Sequence, residues 1–121
     1  MPIYFKIETE RRRVTSVAIG TLIDDDLTQH QQSLAEDPDF DPSHQQLFDF
    51  TPSDEIRITY AALASTAANS LWEPGAKRAF VVKSSIGDSM LQLFKNTLGE
   101  DRGTIEVFRS KDDAMAWLED K

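Results

Sequence analysis

Gln45-Gln46-Leu47-Phe48-Asp49-Phe50-Thr51-Pro52-Ser53-Asp54-Glu55-Ile56-Arg57-Ile58-Thr59 is the stretch whose reading decides the fold. Leu47, Phe48 and Phe50 form a short apolar run bounded by polar and turn residues, the pattern of a strand buried on both faces in a parallel sheet. Pro52 ends that strand, because it has no N–H to give to a ladder. The polar residues that follow read as a loop leading into a helix, with Thr59 as its N-cap. This reading places Asp49, Thr51, Ser53, Asp54 and Thr59 around the C-terminal end of a central strand, where open α/β sheets commonly bind their ligands.

Working outward toward the N-terminus, Asp37-Pro38-Asp39-Phe40-Asp41-Pro42 opens like a calcium loop and then departs from one. Pro42 stands where a sharp turn needs Gly, and Phe48 where a bidentate Glu is required. Two prolines around Phe40 describe instead a rigid connection folded over the core. Before it, Asp24 to about Glu36 reads as a helix, with Leu27 and Leu34 on its buried face and His30 toward solvent. Asp24, Asp25 and Asp26 fall in its first turn, where the helix dipole favours negative charge, and this is preferred over a metal site. Ile3, Phe5 and Ile7 alternate with Tyr4, Lys6 and Glu8 as in a half-buried strand. Val14, Val17 and Ile19 continue the hairpin across Thr9 to Arg12, and Gly20 breaks the second strand. The basic run Arg11-Arg12-Arg13 is expected at the solvated hairpin tip.

Toward the C-terminus, a helix of about Tyr60 to Leu71 is rich in alanine (Ala61, Ala62, Ala64, Ala67, Ala68). Small residues suit close approach to the sheet or to a partner, and Glu73-Pro74-Gly75 is read as the stop. Ala79 to Val82 form a fourth strand. Ser84 to Ser89 make a loop before a helix that buries Met90, Leu91, Phe94 and Leu98 and ends at Gly99. Thr104 to Phe108 are a fifth strand, and Ser110 caps a last helix carrying Ala114, Trp117 and Leu118. The order is β-β-α-β-α-β-α-β-α: an α/β fold with a five-stranded, mostly parallel sheet and an antiparallel first strand.

Composition bounds the function. A chain of 121 residues reads as one domain, residues 1–121, able to bury roughly two-thirds of its unfolded surface. Thirteen basic against 21 acidic residues give a formal charge of −8, which opposes generic nucleic-acid or anionic-membrane binding. No apolar run approaches the roughly 20 residues of a membrane span, and the start lacks a signal-peptide pattern. With no cysteine, disulfides and thiolate chemistry are absent, which fits a cytoplasmic setting.

Several pieces together resemble the SpoIIAA-like proteins of the STAS (sulphate transporter and anti-sigma antagonist) superfamily, in particular small STAS/SEC14-like members. These are the opening hairpin, Asp37 to Pro42, Leu47-Phe48-Asp49, Lys77-Arg78-Ala79-Phe80-Val81-Val82, Val107-Phe108-Arg109 and Ala114-Met115-Ala116-Trp117-Leu118. The resemblance spans nearly the whole chain and implies strands in sequential order with helices wound as a β-α superhelix. In the regulatory branch a Ser or Thr at the start of the helix after the central strand is phosphorylated. Asp49-Phe50-Thr51 matches that branch's Asp-x-Ser/Thr. The hydroxyl then falls near Thr59, with Ser53 as a substitute and Arg57 close by. The family's Asp-Ser-Ser-Gly is Arg57-Ile58-Thr59-Tyr60 here.

Three functions compete. A non-catalytic regulatory or protein-interaction module would use Asp49, Thr51, Ser53, Asp54, Arg57 and Thr59, the loop 84 to 89 and the Ala-rich helix, with a partner of unstated identity. A binder of a small apolar or lipid-like ligand would line its pocket with Tyr60, Trp72, Met90 and Phe94, although such residues at helical spacing more often form core. An enzyme is disfavoured. There is no Gly-x-Ser-x-Gly elbow, phosphate-binding Gly-Lys-Ser/Thr loop or dinucleotide fingerprint, and Ser43-His44 is a neighbour pair without an orienting acid. An anion at the loop 84 to 89 and an Asp49–Asp54 acid–base pair are weaker alternatives. No cofactor or metal is implied, and an edge strand or the small-residue helix could support a homodimer.

Overall fold

The computed structural model describes residues 3–83 and 104–120, together with Gln92 and Asn96, which are helical and exposed. The expected loop at 84 to 89 and most of the helix after it, including Met90, Leu91, Phe94, Leu98 and Gly99, lie outside the described residues.

Five strands form the main sheet in the order β1 (Ile3–Glu8), β2 (Arg13–Ala18), β4 (Gln45–Asp49), β6 (Lys77–Val81), β7 (Thr104–Phe108). β1 runs antiparallel to β2 and every other ladder is parallel. Strand order therefore follows the chain, as expected. Helix α1 (Asp24–Glu36) falls on its expected bounds and α3 (Lys111–Glu119) starts at its Ser110 cap, whose hydroxyl accepts from the Asp113 N–H at 3.3 Å. Helix α2 (Tyr60–Ala68) lies between them in sequence.

Alternation along the strands separates two faces. Leu47, Ala79 and Val81 point to α3 and pack with Ala114 and Leu118. On this side the Lys77 ammonium donates to the carbonyls of Trp117 at 3.0 Å and Asp120 at 2.7 Å, satisfying acceptors that a helix end leaves open. The other face carries Phe48, Phe50 and Phe80 with Leu27, Leu22 and Leu63 against them. Phe48 stacks on Phe50 at 4.2 Å, and Phe80 meets both edge-on at 5.9 Å. Each such ring stabilises the fold by about 2 kcal/mol through burial, and each ring pair adds about 1 kcal/mol.

Two short strands depart from the expectation. Gly20 does not end the extended chain, and residues 53–57 are not a loop. β3 (Gly20–Ile23) and β5 (Ser53–Arg57) form a separate two-stranded parallel sheet. They prolong the β2–β4 pair beyond a bend at which Gly20 takes φ +75, a value favouring glycine. Ser53 is buried at this bend, and its hydroxyl donates to the Gly20 carbonyl at 2.7 Å.

Three further expectations are corrected. The Ala-rich helix stops at Ala68, not near Leu71, because Gln31 of α1 donates to the carbonyls of Thr66 at 3.2 Å and Asn69 at 2.8 Å and closes its end. Arg13 is not solvated: it is buried in β2, donating to Gln45 Oε1, while Arg11 and Arg12 remain exposed at the turn. His30 does not face solvent. It occupies the same stripe as Leu27 and Leu34 and is 6% exposed. The acids of the first turn divide as local structure requires: Asp26 accepts from the Ile23 N–H at 2.8 Å, and Asp24 reaches across to Thr59.

Candidate functional site

Strand alternation places Gln46, Phe48 and Phe50 of the β4 segment on the face toward α1 and α2, and Arg78 and Phe80 of β6 beside them. Ladder register aligns these residues in rows, Val14–Gln46–Arg78–Ile105 and Ser16–Phe48–Phe80–Val107. Over this floor lie Leu27, His30 and Leu34 of α1 and Leu63 and Thr66 of α2, with Ile56 and Ile58 from the β5 side and Trp72 at the end. These layers enclose a cavity, partly open to solvent, of about 60 Å³. Apolar cavities of about 150 Å³ hold benzene, so the enclosed part takes a group smaller than a ring, and a longer guest reaches the opening.

Of the polar residues in this wall, His30, Gln46 and Arg78 are buried, whereas Gln31, Thr66 and Ser70 are half-buried. Arg78 is 5% exposed, its Nε donating to Gln46 Oε1 at 2.9 Å. Its guanidinium lies 4.2 Å from the Trp72 ring centre and 5.4 Å from that of Phe80, an arrangement in which ring faces offset part of the cation's desolvation. Burial lowers its pKa to about 9, which leaves it cationic at neutral pH. His30 Nε2 lies 2.9 Å from Ser16 Oγ, and the imidazole packs against Phe5 and Phe48. Burial first, and the nearby Arg78 charge second, lower its pKa to about 4, so it is neutral at pH 7. Trp72 is fixed from behind by its indole N–H, which donates to the His44 carbonyl at 3.0 Å.

The residues proposed from sequence are dispersed. Trp72 lines the cavity, while Tyr60 is 60% exposed on the first turn of α2 and outside the lining; Met90 and Phe94 lie beyond the described residues. Asp49 Oδ1 accepts from the Thr51 N–H at 2.9 Å and hydroxyl at 2.7 Å, a local turn at the end of β4. Ser53 is the buried pin between β3 and β5. Asp54 is exposed on β5, and Arg57 pairs with Glu55 at 2.7 Å. Thr59 caps α2, its Oγ1 accepting from the Ala62 N–H at 3.2 Å, and donates its own N–H and hydroxyl to Asp24, each at 2.8 Å. Asp49 and Thr59 thus stand at opposite ends of β5. At the calcium-like stretch, Asp41 accepts from Ser43 N–H and hydroxyl, which holds its carboxyl below the usual range. Among the described residues no group of three or more His, Asp or Glu side chains converges as a metal site.

Sequence reasoning passed over Gln46, Arg78 and His30. Their signal was periodicity. Two-residue spacing ties Gln46 to Phe48 and Phe50, and Arg78 to Phe80 and Val82, while His30 falls between Leu27 and Leu34 on the helical stripe.

With the fold and cavity defined, comparison places the architecture: it is SpoIIAA-like. A solved structure from Shewanella loihica PV-4, an uncharacterised protein of the DUF3478 family with a SpoIIAA-like fold, matches with a TM-score of 0.62. The match covers 96% of this chain and 93% of that one at 20% identity, a likeness that bears on the fold. No protein-family model and no curated protein matches the chain. No helix among the described residues is long and apolar enough to cross a membrane.

Proposed function

We propose that this chain is a non-catalytic binding module whose cavity takes a small, largely apolar ligand. The cavity itself carries this reading. A small fold normally fills its interior to crystal-like density, yet here an apolar space remains between α1, α2 and the sheet, beside Trp72. Pockets of this kind combine apolar walls with a few placed polar groups, and His30, Gln46 and Arg78 are the buried ones of this lining, with Gln31, Thr66 and Ser70 half-buried beside them. The test is native mass spectrometry of the purified protein beside its denatured mass, followed by NMR titration with straight-chain alcohols. Extra mass lost on denaturation, or shifts confined to the cavity lining, is the expected result. A bare chain whose lining resonances do not move with any alcohol would overturn the reading.

A regulatory or protein-interaction role is the second reading. It is favoured by the exposed Tyr60, which stands beside the Asp24–Thr59 contact at the start of the helix that roofs the cavity. A ligand beneath α2 and a partner above it would then be coupled through one helix. Unchanged partner binding in a Thr59→Asp variant would remove this surface from consideration.

A further inference from the structure

The main sheet ends at β1, and among the described residues no strand pairs with its outer side. Proteins ordinarily blunt such an edge with a proline, a bulge or a very short strand. β1 shows none of these: Ile3 to Glu8 pair with Ala18 to Arg13 in one unbroken antiparallel register. The back face of the sheet is open at this end as well. Helix α3 packs on β4, β6 and β7. Tyr4, 55% exposed, and Lys6 therefore stand on the uncovered side, with Val17 and Thr15 as their ladder partners. We propose that β1 is the contact between two copies of this chain, paired antiparallel about a two-fold axis at Phe5. This contact lies outside the cavity lining and is independent of any ligand there.

The register follows from the side chains. Opposed residues of an antiparallel pair share a face, so a two-fold axis normal to the sheet passes through a residue of β1 and not between two. An axis at Phe5 opposes residues 3–7 of the two copies, and an axis at Lys6 opposes residues 4–8; any other axis leaves a shorter ladder. With the axis at Lys6, the two ammonium groups face each other, which destabilises a pair. With the axis at Phe5, Tyr4 of each copy lies opposite Lys6 of the other, an ammonium beside a phenol ring, twice over. Lys6 reaches Glu8 of its own strand only at 4.0 Å, so it can turn to that ring. Ile3 then lies opposite Ile7. Together with the β2 partners this makes a front row Ala18–Ile3–Ile7–Val14 and a back row Val17–Tyr4–Lys6–Thr15, each crossing from one copy to the other. The two Phe5 rings, each half-buried against His30 of its own copy, meet at the axis. Such an isologous contact closes at two copies.

The experiment is sedimentation equilibrium of the wild-type chain from micromolar to millimolar concentration, at about 0.15 M salt to screen the −8 charge that each copy carries. The expected result is a mass that rises from one chain to two and no further. Tyr4→Lys, which sets a second lysine opposite Lys6, is expected to weaken the dimer roughly fivefold or more, and Tyr4→Glu to tighten it. Both positions are exposed, so the fold does not depend on them. The chain has no cysteine, so disulfide trapping reads the register. Tyr4→Cys mixed with Lys6→Cys is expected to crosslink, whereas Lys6→Cys alone is not, because its two sulfurs lie beyond disulfide reach. A single-chain mass at every concentration overturns the proposal. Growth past two copies also overturns it, since that marks head-to-tail pairing. A dimer that ignores both Tyr4 variants removes β1 as the contact, and preferential crosslinking of Lys6→Cys alone removes Phe5 as the axis.

Discussion

Acidifying the solution from pH 7.5 to pH 5 should weaken this fold through His30. The imidazole is 6% exposed, bonded to Ser16 and wedged between Phe5 and Phe48, so its protonated form is penalised in the folded chain. Its folded pKa of about 4 lies below the value of 6.5 for the unfolded chain. Between those two values the unfolded state binds a proton that the folded state refuses, so stability is complete above pH 6.5 and declines as pH falls toward 4. The full difference corresponds to about 3 kcal/mol, of which about 2 kcal/mol is lost by pH 5. Urea unfolding followed by tryptophan fluorescence at both pH values reads this directly, since Trp72 lies in the core. A His30→Gln variant, whatever its absolute stability, should lose that part of the slope. An imidazole titrating near 6.5 by NMR in the folded protein would refute the reasoning. So would a variant that keeps the wild-type slope.

Two substitutions test the surroundings of the cavity. Ser53→Ala removes the bond to the Gly20 carbonyl at a buried bend and should cost about 1–2 kcal/mol, with faster amide exchange in Thr21 to Ile23 as the local readout; unchanged exchange there would show that the bend is held by other contacts. Thr59→Asp sets a second carboxylate beside Asp24 in place of a hydroxyl donor, and should destabilise the start of α2 by about 1 kcal/mol or less while leaving the sheet intact. Faster exchange at Ala62 alone is the expected signature, and protection equal to wild type would sink the assignment of that contact as the clamp on α2.

Much of the architecture was legible in the sequence because its signals are local. Helix α1 is bounded by an acidic first turn and by Asp37-Pro38, and β7 by polar flanks, so both appear where periodicity and punctuation put them. The strand at Leu47 was legible because burial on both sides leaves little polarity to confuse it. β5 was hidden by the same logic. Ser-Asp-Glu-Ile-Arg turns Ser53 and Ile56 inward and its charges to solvent, and so few inward side chains read as loop. Its partner β3 was obscured by Gly20, whose left-handed conformation bends the chain without ending its pairing. The cavity's polar floor was missed for an energetic reason. A charged residue beside an apolar run is ordinarily solvated, and the burial of Arg78 becomes intelligible only with Gln46, Trp72 and Phe80 assembled around it from three separate segments.

The sheet's two faces divide labour in a way that a protein engineer can use. Every cavity-lining side chain of β4 and β6 points away from α3, which the Lys77 ammonium clasps from beneath. A dye or surface tether attached at the exposed Asp112 or Glu119 therefore sits behind an intact wall of Leu47, Ala79 and Val81, insulated from events in front of it. The back of the molecule can be anchored to an electrode or a bead while the front stays open to solution, an orientation that makes the bare scaffold a candidate frame for a reagentless sensor.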